Sequence, residues 1–201
     1  QHPPLCAAYA RAMDETLGSL AAALGERGVV LYNGLWNFAK DRLQDQSQLL
    51  LYADAAAVEY FGMNPRTKRA SFAKDILPFL ELLPSLPADK AVYFFGRGSW
   101  EYVNYVADYE WQRYLYASFL LGRRKVDLFK YHSSFQVPAH RGRTGGLDAF
   151  ADWALDLGEP KGPYQLEDGL YSRDFASGRV VVAPDDGAGG RVRLARRYYT
   201  P

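Results

Sequence analysis

Ala91-Val92-Tyr93-Phe94-Phe95, stopped by Gly96-Arg97-Gly98, is the stretch on which the fold turns. An unbroken apolar run of this length, rich in strand-favouring residues, suits a strand buried on both faces, and the glycines end it. Helical spacing flanks it: about Ser71 to Leu83 before, closed by the prolines at 84 and 87, and about Tyr102 to Leu121 after. Three more runs lie further out. Val29-Val30-Leu31-Tyr32 stops at Asn33-Gly34, and Ala55-Ala56-Ala57-Val58-Glu59-Tyr60-Phe61 stops at Gly62. Val126-Asp127-Leu128-Phe129-Lys130-Tyr131 leads into His132. The alanines make the second of these weak by propensity alone. Leu5 to Glu26 reads as an opening helix, with Leu17, Leu20, Ala21 and Leu24 at helical spacing and Gly25 and Gly28 ending it.

The four runs start near residues 29, 55, 91 and 126, a mean spacing of about 32. Strand–helix alternation is the α/β pattern, and a (β/α)8 barrel allots roughly 31 residues to each unit. A four-unit open sheet fits the same spacing. Beyond Gly142 the texture changes to a short helix near Leu147 to Leu155 and a turn-rich tail. There Gly169 to Phe175, Arg179 to Ala183 and Arg191 to Tyr199 read as antiparallel strands, with Ser177-Gly178 and Asp185-Asp186-Gly187 as turns. The expected fold is therefore α/β: about four βα units followed by a short antiparallel β tail. Gly96-Arg97-Gly98 is no dinucleotide fingerprint, because Glu101 stands where the third glycine belongs.

Composition narrows the function classes. The 201 residues carry 24 Lys+Arg against 23 Asp+Glu, a net charge of +1, so no global field favours nucleic acid. No apolar run reaches the roughly 18 residues of a membrane span. A lone cysteine, Cys6, excludes an internal disulfide and a Cys-based zinc cluster, and three histidines leave little for a metal site. Neither a metal nor a cofactor is expected. The chain opens on Gln1 without an apolar leader, so either a leader was removed or a longer protein was cut; the compartment stays open, extracellular or secretory included. The aromatics stand out, at 15 Tyr, 11 Phe and 4 Trp. Such faces suit sugar rings, and they also fill cores.

In parallel α/β folds function collects where strands deliver their C-terminal ends. Here those ends carry Asn33 to Trp36, Glu59 to Gly62, Arg97 to Glu101 and Lys130 to His132. The candidate substrate contacts are Asn33, Trp36, Tyr60, Arg97, Trp100 and Tyr131. Glu59 is the most informative, since a charge closing an apolar run is costly unless it reaches a polar cleft. One reading makes it a carboxyl acid/base among aromatic neighbours such as Tyr60 and Phe61. The other pairs it with a lysine or arginine as a structural ion pair. Glycosidic cleavage normally needs two carboxyls. Glu101 is a possible second, yet it equally suits the start of the following helix; Asp54 reads as a turn residue. Tyr105, Tyr109 and Trp111 read as a packed helix. Arg123-Arg124-Lys125, Arg141/Arg143 and Arg196-Arg197 read as solvated loop charges.

Two strings carry a family resemblance. Val30-Leu31-Tyr32-Asn33-Gly34-Leu35, followed by Ala57-Val58-Glu59-Tyr60-Phe61-Gly62, resembles the second half of glycoside-hydrolase-like (β/α)8 barrel proteins. Gly169 to Pro184 is similar to their closing segment, in which an Arg-x-Phe-x-x-Gly-x-Val-x-Val-Asn-Pro pattern leads into the terminal strands. Ala183 stands where that pattern has Asn, an exchange that does not touch Glu59. The resemblance spans about residues 29 to 184. It implies that Asn33 and Glu59 line the cleft, with Glu59 the acid/base, and that earlier strands bearing an Asp at a strand end precede residue 1.

On this reading 1–145 is the C-terminal half of a barrel and 146–201 its closing helix and antiparallel segment. The partners expected are a carbohydrate and the missing N-terminal half or another subunit. The leading function is hydrolase-like action on a polysaccharide or oligosaccharide. The alternative is a non-catalytic glycan-binding or structural subunit of a larger assembly.

Overall fold

The computed structural model describes residues 3–35, 43, 46–64, 71–97, 105–132, 155–184 and 191–196. Helix α1 spans Pro3–Leu24. Its proline costs nothing in the first turn, where the backbone N–H lacks a partner anyway. Gly25, at φ +51°, ends it in the left-handed region that favours glycine. Then come β1 (Leu31–Asn33), β2 (Ala55–Phe61), α2 (Leu77–Leu82), β3 (Ala91–Arg97), α3 (Tyr105–Gly122) and β4 (Leu128–His132). Strands β1 to β4 form one parallel sheet in sequence order. A second, antiparallel sheet takes β5 (Gln165–Glu167), β6 (Leu170–Phe175), β7 (Gly178–Ala183) and β8 (Arg191–Arg196), also in order.

The α/β class and the parallel sheet agree with the sequence reading; three local features differ. The helix expected from Ser71 to Leu83 is broken into a π-turn (Phe72–Ile76), α2 and a 3-10 turn (Leu83–Ser85). Pro78 and Pro84 explain the breaks, since neither can donate the backbone bond that a continuous helix needs. Strand β1 starts two residues later than expected and lies at the sheet edge, so Val29 and Leu31 are exposed rather than buried on both faces. Strand β5 was not expected. The helix near 147–154, the turn 185–187 and residues 197–199 lie outside the described residues.

The register sorts the parallel sheet into two unlike faces. Tyr32, Ala56, Val92, Val58, Phe94, Phe61 and Tyr131 point to one side and join the core cluster with Leu80, Leu115, Phe119 and Leu120 from the helices. Phe61 sits edge-on to Phe94, with ring centroids 4.9 Å apart. The other side carries Leu31, Asn33, Ala55, Ala57, Ala91, Tyr93, Phe95, Arg97, Leu128 and Lys130. None of these belongs to the core cluster. Parallel sheets are ordinarily covered on both faces; among the described residues only the first face of this one joins the core cluster, although Ala55 and Ala57 on the second are also buried.

Carboxylates tie the N-terminal ends of the strands. Asp54 accepts from the Val30 N–H at 2.8 Å, and Asp127 from the Val92 N–H at 3.0 Å. Asp127 is further held by Arg124, which donates to both of its oxygens at 2.7 and 3.0 Å. Arg124 also reaches the carbonyls of Leu86, Pro87 and Lys90. Its expected role as a solvated loop charge is therefore corrected: the side chain is 17% exposed and clamps the β3 and β4 entries together.

The antiparallel sheet packs on α3 through Phe175, Val180 and Val182, which join the same core cluster. Arg173 fixes the contact by donating to the carbonyls of Leu120 and Arg123 at the C-terminal end of α3, groups with no partner inside the helix. Among the described residues no helix is long and apolar enough to cross a membrane.

Candidate functional site

An irregularity in β2 builds the site. Val58 pairs with Phe94 and Phe61 with Gly96, so Glu59 and Tyr60 together stand opposite the single residue Phe95. This is a β-bulge, which shifts the side-chain alternation by one residue. Phe61 is thereby returned to the core face, where it is 1% exposed, while Glu59 stays half-buried on the other side and Tyr60, also half-buried, packs against the core cluster. Gly62 then closes the strand at φ +81°, where a Cβ would lie 2.2 Å from a Leu115 methyl. Strand, bulge and glycine together aim Glu59 away from the core.

Glu59 meets partners from both neighbouring strands. Arg97 at the end of β3 forms an ion pair with Glu59 Oε1. Asn33 at the end of β1 approaches Oε2 at 3.4 Å, a long contact. The Arg97 guanidinium lies over the Tyr60 ring, 4.6 Å from its centroid, a cation–π arrangement that fixes the cation from below. The side chains of Arg97 and Glu59 are 31% and 29% exposed, so the pair is reachable from solvent. On the same face, burial pushes the Tyr93 phenol up, which keeps it a neutral neighbour.

Of the residues singled out from the sequence, Asn33, Glu59, Tyr60 and Arg97 are brought together. Tyr131 is placed elsewhere: it is 1% exposed on the core face, against the spot where Gly96 has no side chain. A Cβ at Gly96 would stand 2.9 Å from Leu115 and 3.2 Å from the Tyr131 ring, so this glycine serves packing. Trp36, Trp100 and Glu101 lie outside the described residues.

Two participants have no site role in the sequence reading, where Trp111 belongs to a packed helix and Lys130 is only one residue of a strand end. Trp111 of α3 is buried, and its indole N–H donates to the Arg97 carbonyl at 2.8 Å, anchoring the backbone that presents the guanidinium. Lys130 is half-buried on the second face of β4, beside Phe95 in register. Only tertiary pairing connects either of them to Glu59. Chemically, the group is a carboxylate held by a guanidinium and an amide at the C-terminal ends of parallel strands. It can accept or deliver a proton and orient a hydroxyl. The four strands themselves supply no second carboxylate to this end.

Comparison with known families matches residues 2–179 to the hypothetical glycosyl hydrolase family 15. The chain belongs to that family. The match takes in all four parallel strands, hence the whole Asn33–Glu59–Tyr60–Arg97 group, and ends within β7. No curated protein matches the chain.

Proposed function

We propose that the protein acts on the glycosidic bond of a polysaccharide or oligosaccharide, with Glu59 as the general acid/base. One observation carries this reading: the β2 bulge places Glu59 beside Asn33, Tyr60 and Arg97 at the strand ends, on the face outside the core cluster. Asn33 orients a sugar hydroxyl, and Tyr60 with Arg97 forms the floor. Trp36 and Trp100, which follow β1 and β3 in the sequence, supply stacking walls. The partner carboxylate that such chemistry requires comes from beyond these four strands. We read residues 1–145 as four units of a (β/α)8 barrel and 146–201 as its closing segment. The open β1 and β4 edges, with Leu31 47% and Leu128 58% exposed, then receive strands from an N-terminal half or another subunit.

The ion pair itself favours a second reading, a glycan-binding or structural subunit in which Glu59 only positions Arg97. Glu59→Gln in the full-length protein separates the two. As acid/base, its loss lowers glycan cleavage by roughly 10²–10⁴-fold while the fold persists. Unchanged turnover in a stably folded variant removes Glu59 from the mechanism.

A further inference from the structure

Among the described residues, the end of the sheet that holds Glu59 carries a second cation that the glycosidic reading does not use. Arg97 has five N–H donors, and one nitrogen of its guanidinium is engaged with Glu59. Lys130 lies on the same face of the adjoining strand, two residue pairs below Arg97 in register. Phe95 pairs with Lys130, and Arg97 with His132. Rise along a strand and spacing between strands put the two Cα atoms about 8 Å apart, within reach of one bound group for two long side chains. Among the described residues Lys130 has no ion pair. Two cations therefore face one carboxylate, and the strands offer no further acid to balance them.

We propose that this end of the sheet selects an acidic saccharide, a glycan whose uronic-acid carboxylate is held between Lys130 and the free edge of the Arg97 fork. The proposal rests on the glycosidic reading above and names its substrate class. A planar fork already fixed by the Tyr60 ring and by the Trp111 anchor on its backbone is pre-organised for a planar carboxylate. Lys130 supplies the second charge without a matching anion of its own. A neutral sugar in the same place would leave Lys130 without a counter-charge, since Glu59 serves Arg97 alone.

The test uses the full-length protein and uronic-acid hexasaccharides (galacturonate, glucuronate and mannuronate), each paired with its fully methyl-esterified, uncharged counterpart. Binding is measured by calorimetry at low and at physiological salt. The expected result is that at least one acid binds about tenfold tighter than its ester, a typical worth for one charge-assisted contact at a half-buried site. Lys130→Gln should bring the acid-to-ester ratio towards one, and Lys130→Arg should restore it, with circular dichroism confirming the fold of both. An edge lysine also discourages strand addition; that role would show as self-association of Lys130→Gln and would leave the ratio intact. Equal binding of acid and ester, or a preference that survives Lys130→Gln, overturns the acidic-substrate proposal alone. Equally tight binding of polyglutamate overturns it too, because charge without sugar would then suffice. If neither acid nor ester binds, the acidic-substrate proposal falls, while the glycosidic reading stands or falls separately on glycan cleavage by the wild type and the Glu59→Gln variant.

Discussion

Replacing Arg124 by Met isolates the clamp at the N-terminal ends of β3 and β4. The methionine keeps much of the side chain's apolar stem and removes the guanidinium. Asp127, whose side chain is fully buried, would keep the Val92 and Arg124 backbone N–H bonds but lose its counter-charge. The carbonyls of Leu86, Pro87 and Lys90 would lose their donor as well. Breaking a buried pair by removing one partner costs about 3–5 kcal/mol. For a protein of this size each kcal/mol lowers the melting temperature by roughly 2–4 °C, so a fall on the order of 10 °C is expected. Thermal unfolding followed by circular dichroism measures that fall and urea unfolding the free energy, with Lys125→Met as the control. Lys125 is exposed and bears none of these contacts, so its loss should stay within about 0.5 kcal/mol. If Arg124→Met is as mild as Lys125→Met, the clamp is not a stabilising element and the charge is a solvated one after all.

Two further outcomes concern Asp75 and Gly62. Burial pushes the Asp75 carboxyl in the π-turn up to about 6 from an ordinary 3.8. A raised carboxyl stabilises the fold in full below its unfolded value and loses that contribution as pH rises through the folded one. Stability should thus fall by roughly 2 kcal/mol between pH 4 and pH 7 on this account. Asp75→Asn, which keeps an acceptor for the Ser71 N–H, should flatten that slope in denaturant titrations, and parallel slopes for both proteins would count against it. Gly62→Ala should cost about 2–4 kcal/mol, from a strained backbone and a Cβ driven into Leu115. A loss below about 0.5 kcal/mol in thermal unfolding would show that the bulge does not need this glycine.

Much of the sheet could be read from the chain because its strands are short apolar runs with glycine stops. Ala55–Phe61 was delimited to the residue despite its alanines. Their weak propensity is overridden by position: β2 lies between two strands, and Ala55, Ala56 and Ala57 are all buried there. The bulge was not legible, because nothing in Val58-Glu59-Tyr60-Phe61 says which residue pairs with Phe94 or Gly96. That information resides in β3. The ion pair illustrates the same limit. Arg97 and Glu59 were each legible as strand-end residues, but their meeting across 38 positions is a property of the parallel register. Arg124 was misread since a basic triplet in a loop looks alike whether it is solvated or clamped. Its partner Asp127 was visible only as one residue of an apolar run.

The position of a bound sugar tests the central claim most directly. A crystal structure of the full-length Glu59→Gln protein with a saccharide that it binds should show a sugar ring at the C-terminal ends of β1 to β3. The ring should lie within hydrogen-bond reach, about 2.6–3.2 Å, of residue 59 and of Asn33, and over or beside Tyr60. A saccharide seated instead at the N-terminal ends near Asp54 and Asp127, or on the antiparallel sheet, with the strand-end group untouched, would contradict it.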